Sequence, residues 1–229
     1  MDTVAILGAG AWGTALAVHL AQTRSATSIR LWARDAHHVR ALTTTRENAR
    51  YLPGVALPSA VTVGADLKEI LAGASLLLVA TPIGALIEVV LAARGATAIP
   101  LFWLGKGFVA TPDAPGVALA HRVVAPLWPA PIGVVSGPSF AEEVARGVPT
   151  AVTVAATDTR AAEEVARRLR GETLRAYVCD DLPGVEVGGA VKNVLAIGAG
   201  ASDGLGFGHN ARAALITRGL AETGRLSAA

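Results

Sequence analysis

Residues 3–16, TVAILGAGAWGTAL, lead an apolar strand through a glycine-rich turn directly into a helix, and this junction restricts the fold more than any other part of the chain. The turn, Gly8-Ala9-Gly10-Ala11-Trp12-Gly13, has glycine at the three positions of a dinucleotide-binding fingerprint. Gly8 permits the tight turn and Gly10 lets the backbone approach a pyrophosphate. Gly13 lets the helix pack on the strand, and free N–H groups at the helix start point at the anion. Such a pattern carries weight only in context, which the preceding strand and the Ala-rich stretch after it supply. The expected ligand is a nicotinamide or flavin dinucleotide.

Further apolar runs at 29–32, 76–80, 100–104, 132–136, 151–155 and 175–179 join the run at 4–7. They are continuous rather than alternating, as in strands buried on both faces of a parallel sheet. Helical patterns lie between them at 12–22, 36–44, 83–93, 117–125, 140–146 and 160–170. The spacing predicts a Rossmann-like, doubly wound α/β domain over residues 1–182. After Pro183-Gly184 the remaining sequence is helical, at 185–200 and 211–229 with a glycine-rich loop between, and predicts the start of an all-α domain at 183–229. Leu226-Ser227-Ala228-Ala229 reads as the middle of a helix, so the sequence is expected to be part of a longer chain.

Composition narrows the function classes. At 229 residues, 52% hydrophobic and mean hydropathy +0.48, the chain can bury a sizeable core. A net charge of +2 and scattered arginines form no basic stripe interleaved with aromatics, so no nucleic-acid partner is expected. Cys179 has no second cysteine to pair with and reads as a small apolar residue at a strand end. Residues 4–18 imitate an export signal, but Asp2 stands where positive charge is required. The uncharged stretch 70–87 imitates a membrane span, yet Thr81-Pro82-Ile83-Gly84 divides it into a strand and a helix. A cytoplasmic protein without stable membrane insertion is expected, with no metal constellation and no Ser/His/Asp arrangement.

Several residues carry candidate chemistry. Arg34 and Asp35 end the second strand, where an acid would bind a ribose 2′-hydroxyl and an arginine a 2′-phosphate; the alternative is a solvated Arg–Asp pair. Lys106, between Gly105 and Gly107, closes a strand and reads either as reaching an anionic ligand or as a surface lysine. Ser136-Gly137-Pro138-Ser139-Phe140-Ala141-Glu142 follows another strand; Ser139 and Glu142 form a capping-box pattern at a helix start that could equally hold a phosphate. Lys192 lies in a helix of small apolar residues. It is expected to be buried, with a lowered pKa suited to proton exchange, or else to snorkel from the helix edge. Asn210 is placed to cap the last helix, and His209 reads as a loop histidine.

Taken in order, Gly8–Ala15, Gly105-Lys106-Gly107, Ser136–Ala141, Ala190-Val191-Lys192-Asn193 and Gly204–Asn210 resemble the bacterial NAD(P)-dependent glycerol-3-phosphate dehydrogenases across the whole chain. The resemblance implies NAD or NADP as cofactor. It further implies interconversion of dihydroxyacetone phosphate and sn-glycerol 3-phosphate, feeding phospholipid synthesis. The family's pattern puts Gly8, Gly10, Ala11, Trp12, Gly13, Arg34 and Ala141 on the cofactor and Lys106 between cofactor and substrate. Gly137 and Ser139 fall on the substrate, and Lys192 at the family's proton-exchanging lysine. The implied partner is a small phosphorylated three-carbon molecule, with a homodimer left open. His209 stands where the family commonly has an acid. The family's further helical region, with an Asp and a Ser-Arg-Asn motif, has no counterpart here. Two other readings therefore stand: a cofactor-binding module without catalysis, and a related two-domain hydroxyacid dehydrogenase.

Overall fold

The computed structural model describes residues 2–23, 27–95, 98–111 and 116–227. Its strands are β1 (Asp2–Leu7), β2 (Thr27–Trp32), β3 (Glu47–Asn48), β4 (Leu52–Ala56), β5 (Val61–Gly64), β6 (Leu76–Val79), β7 (Leu101–Trp103), β8 (Val109–Ala110), β9 (Val117–Ala118), β10 (Ile132–Ser136), β11 (Thr150–Ala156) and β12 (Leu174–Val178). The α-helices are α1 (Ala11–Thr23), α2 (Ala36–Thr45), α3 (Leu67–Leu71), α4 (Leu86–Ala93), α5 (Ala120–Val124), α6 (Ala141–Ala145), α7 (Thr159–Leu169), α8 (Leu182–Gly204) and α9 (Gly208–Ser227).

Eight strands form one sheet in the order β12-β11-β10-β7-β6-β1-β2-β5. From β5 to β10 every pairing is parallel, and the chain order reverses between β1 and β6, the switch point where ligands bind in doubly wound sheets. Side chains of each central strand alternate between two buried clusters. Ile6, Leu78, Phe102 and Val135 face one side, and Leu7, Leu77, Val79, Trp103 and Val134 the other. Each such side chain contributes roughly 1.5–3 kcal/mol on burial. Both faces are therefore covered, as the continuous apolar runs predict.

The structure corrects the sequence reading in several places. β11 runs antiparallel to β10, so the sheet is mixed at that edge. β5 escapes notice because Val61-Thr62-Val63-Gly64 is short and only half-buried at the opposite edge. The helix expected at 117–125 shrinks to α5, preceded by β9 and followed by a 3-10 turn at Ala125–Leu127 containing Pro126. The expected helix at 83–93 opens with a 3-10 turn, Ile83–Ala85, before α4. Among the described residues no helix is long and apolar enough to cross a membrane; the stretch at 70–87 divides into β6 and a new helix around Thr81-Pro82.

At the end of the chain α8 is longer than expected. It starts at Leu182, where the Asp181 carboxylate accepts a hydrogen bond from the Gly184 N–H at 2.8 Å. The glycine-rich segment after it is a tight turn rather than a loop, so Asn210 lies inside α9 and caps nothing. Val194, Ile197, Leu205, Phe207 and Leu220, all on α8, α9 or the turn between them, are exposed.

Candidate active site

Because β1, β2, β6, β7 and β10 are parallel, the segments that follow them emerge at one edge of the sheet. Backbone bonds fix that edge: Gly8 N–H donates to the Trp32 carbonyl at 3.0 Å, Ala80 N–H to Leu7 at 2.8 Å, and Leu104 N–H to Val79 at 2.9 Å. The Gly8–Gly13 turn, Arg34, the turn at Thr81, Gly105-Lys106-Gly107 and Gly137 are thus assembled in one crevice.

The phosphate turn has the shape its glycines anticipate. Gly8 sits at φ +119°, and a Cβ there would lie 2.9 Å from the Ala80 carbonyl. A Cβ at Gly13 would collide with the Gly8 carbonyl, so α1 rests directly on the turn. A Cβ at Gly10 would meet nothing, which leaves room for a pyrophosphate above the first turn of α1. Beside this turn the Thr81 hydroxyl is buried and has no hydrogen-bond partner among the described residues. Open space over Gly10, a helix start and an unsatisfied buried hydroxyl fit a dinucleotide at this position.

Two residues that sequence reasoning missed hold the turn in place. Asn48, fully buried, donates through its amide to the Ala9 carbonyl at 3.0 Å and to the Thr14 hydroxyl at 2.7 Å. His38 Nε2 lies 3.1 Å from the same Ala9 carbonyl, and its ring meets Tyr51 edge-on. Asn48 lies 39 residues from Ala9 in a two-residue strand, and nothing local in the sequence marks it.

Arg34 and Asp35 do not pair with each other. Asp35 caps α2, accepting from the His37 N–H at 2.8 Å, and that bond holds its carboxyl below the usual range. Arg34 reaches Glu88 on α4 at 3.4 Å with both side chains largely exposed, a contact worth about 0–1 kcal/mol. Its guanidinium is therefore readily released to a stronger anion.

On the far side of the crevice, α8 lies against the end of β10. A Cβ at Gly189 would stand 3.0 Å from the Ser136 hydroxyl and 3.6 Å from Cγ of Lys106, so the helix seats on the Lys106 stem. Burial holds the Lys106 ammonium below the ordinary lysine range, and the charge of Lys192 pushes it further the same way. Lys192 is itself exposed, which corrects the expected burial: the face of α8 that carries it is turned away from the sheet. Its Nζ stands 5.9 Å from the ring centre of Phe140. Neither ammonium has an ion-pair partner among the described residues.

Gly137 follows β10 at φ +154°, where a Cβ would come within 2.7 Å of the Ala151 carbonyl. The capping box expected at Ser139 and Glu142 does not form. Phe140 is the N-cap residue of the five-residue α6, and the Ser139 hydroxyl donates to the Gly137 carbonyl at 3.3 Å. Ala141 opens α6, which packs on α1. His209, expected in a loop, lies in the first turn of α9, where its Nδ1 stands 3.0 Å from the Arg212 guanidinium.

The comparisons bear on the family and the fold. Residues 3–162 match the family model of the NAD-dependent glycerol-3-phosphate dehydrogenase N-terminus, and residues 181–229 match that of its C-terminus. The glycerol-3-phosphate dehydrogenase [NAD(P)+] of Variovorax paradoxus is 53% identical over 99% of this chain, which covers 68% of that relative. The enzyme of the same name from Thiobacillus denitrificans is 50% identical over 96% of the chain, covering 66% of its length. The crystal structure of glycerol-3-phosphate dehydrogenase from Coxiella burnetii superposes with a TM-score of 0.89 at 42% identity, over 99% of this chain and 69% of that one. The chain spans about two thirds of the length of these relatives. With the phosphate turn, the mixed sheet and both matched regions in the same order, the chain belongs to the NAD-dependent glycerol-3-phosphate dehydrogenase family.

Proposed function

We propose that this chain reduces dihydroxyacetone phosphate to sn-glycerol 3-phosphate, and catalyses the reverse, using NADPH or NADH, in the cytoplasm and in support of phospholipid synthesis. The observation that carries the reading is the pair Lys106 and Lys192. Two ammonium groups close enough to feel each other, with no ion-pair partner among the described residues, stand across the crevice from the dinucleotide turn. Such a pair is costly until an anion enters between them, and a phosphorylated three-carbon substrate supplies one.

In this reading residues 1–182 hold the cofactor, and 183–229 begin the part that closes over the substrate. Gly8, Gly10, Ala11, Trp12 and Gly13 receive the pyrophosphate and Ala141 borders the nicotinamide end. Arg34 leaves Glu88 to take a 2′-phosphate. A bound reduced nicotinamide supplies the hydride. Lys106, Gly137 and Ser139 orient the substrate so that its carbonyl faces that hydride, and Lys192 delivers a proton to the carbonyl oxygen or removes it in reverse.

The test is oxidation of NADPH by the full-length enzyme with dihydroxyacetone phosphate against dihydroxyacetone. Turnover should be confined to the phosphorylated ketone, because without the phosphate the two ammonium groups stay unpaired. Comparable turnover of both ketones would overturn the substrate assignment.

Cofactor recognition separates into two effects. Arg34→Ala should weaken NADPH by at least about tenfold and leave NADH nearly unchanged, since a charge-assisted contact is worth about 1.5–3 kcal/mol. Asn48→Ala should weaken both cofactors alike, because it leaves the Ala9 carbonyl with one hydrogen bond fewer and loosens the turn that both share. Titration calorimetry with the two cofactors reads both. Equal losses in Arg34→Ala, or a loss for NADPH alone in Asn48→Ala, would contradict these roles.

A further inference from the structure

Glu186 is a carboxylate with only 5% of its surface exposed, flanked on its helix by Val185, Val187, Gly188 and Gly189. One of its oxygens accepts the backbone N–H of His121 at 3.1 Å, and the other is bonded to Nδ1 of the His121 ring. The acceptance of that N–H has a local reason: α5 begins after Leu119, whose side chain offers no oxygen to cap it. Glu186 supplies the missing acceptor from a position 65 residues away. Burial pushes its carboxyl up, and the His121 hydrogen bonds oppose that rise.

On its other side Glu186 lines a small cavity with Gly105, Lys106, Ser136 and Gly189. Glu186 and Gly189 are one turn apart on the same face of α8, and Lys192 follows one turn later. Leu182 and Val187 pack the first turns of α8 into the core, but Gly188-Gly189-Ala190 gives this face little relief of its own. The buried hydrogen-bonded pair adds a directional contact there.

We propose that Glu186, anchored by His121, is a positioning residue that fixes α8 against α5, so that Gly189 seats on Lys106 and Lys192 stands beside it. This rests on the assignment of Lys106 and Lys192 to the reaction. The pair acts through the placement of the two ammonium groups and touches no reacting atom.

The experiment is a mutant cycle in the full-length enzyme, reading kcat, KM and NADPH affinity. Glu186→Leu keeps an apolar side chain of similar reach but removes both hydrogen bonds. It should lower kcat by at least about tenfold, since small misplacements of catalytic groups carry penalties of that size or more, while the NADPH Kd stays within about twofold. Glu186→Gln, which still accepts the His121 N–H, should recover most of the loss. On a Lys192→Met background Glu186→Leu should cost little more, because residues acting through one group are not additive. Unchanged kcat in Glu186→Leu, a parallel loss of NADPH affinity, or penalties that multiply on the Lys192→Met background would each overturn the proposal. Should Glu186→Leu fail to fold, His121→Leu, which removes the ring bond from the other partner, carries the same cycle. Normal turnover of Lys192→Met alone would instead overturn the role of Lys192, and the cycle run against Lys106→Met then decides the positioning role.

Discussion

Lys192→Met in the full-length enzyme should lower kcat by at least about a hundredfold, because positioned proton transfer contributes about 10²–10⁴-fold and methionine keeps the side-chain length without the proton. Lys192 is exposed on α8 and packs only its charge over the Phe140 ring, so the substitution should leave the melting temperature nearly unchanged. It should also leave NADPH affinity intact, since the Gly8–Gly13 turn and its Asn48 brace lie on the other wall of the crevice. Lys192→Arg separates charge from proton exchange. The guanidinium still attracts a phosphate but does not release its proton at working pH, so KM should be largely kept while kcat falls. Steady-state rates with both ketone and alcohol substrates read the effect in each direction. A kcat near that of the parent in Lys192→Met would move the proton-exchanging role to another group, with Lys106 next to be examined.

The parts of this site that lie within a few residues of one another could be read directly from the chain. The strand, turn and helix around Gly8–Gly13 need only local spacing, because strand burial, turn geometry and the helix start all belong to one short segment. The same holds for Gly105-Lys106-Gly107 at the end of β7. What the sequence conceals are bonds between distant segments. Asn48 reaches Ala9 across 39 residues, and Glu186 reaches His121 across 65. The antiparallel pairing of β11 with β10 is hidden for a different reason, since the chain passes through α6 between them as it would in a parallel crossover, and an apolar run does not mark strand direction.

Lys192 shows where composition misleads. The small apolar residues around it mark a helix without a polar face, which says that the helix is suited to burial but not which side is covered. In the structure the side bearing Glu186 and Gly189 is buried, while Lys192, Val194 and Ile197 face outward. The desolvated ammonium expected at Lys192 is found instead at Lys106, on a loop that composition alone would leave at the surface. The place of Lys106 at the end of a sheet strand is a better guide to its partial burial than the composition of its loop.

Lys106→Met should lower kcat/KM for dihydroxyacetone phosphate by about 10²-fold, the loss expected when a charge-assisted contact of roughly 1.5–3 kcal/mol is removed from a partly desolvated site. The same substitution should not destabilise the free protein. The ammonium there is partly buried, lacks an ion-pair partner among the described residues and is repelled by Lys192, so its removal should leave the melting temperature equal or higher. That combination, lost activity with retained or increased stability, marks a group kept for its ligand rather than for the fold. The pH dependence follows from the direction of the shift. Burial and the Lys192 charge lower the Lys106 pKa below its ordinary value of 10.5, so the free enzyme loses this cation at a lower pH than an ordinary lysine would. The alkaline fall in kcat/KM should therefore begin below that value. Lys106→Arg, charged throughout the range, should move the fall to higher pH even where its absolute rate is lower. An alkaline limb that stays in place in Lys106→Arg belongs to another group, and a Lys106→Met variant with full kcat/KM would remove Lys106 from the substrate site.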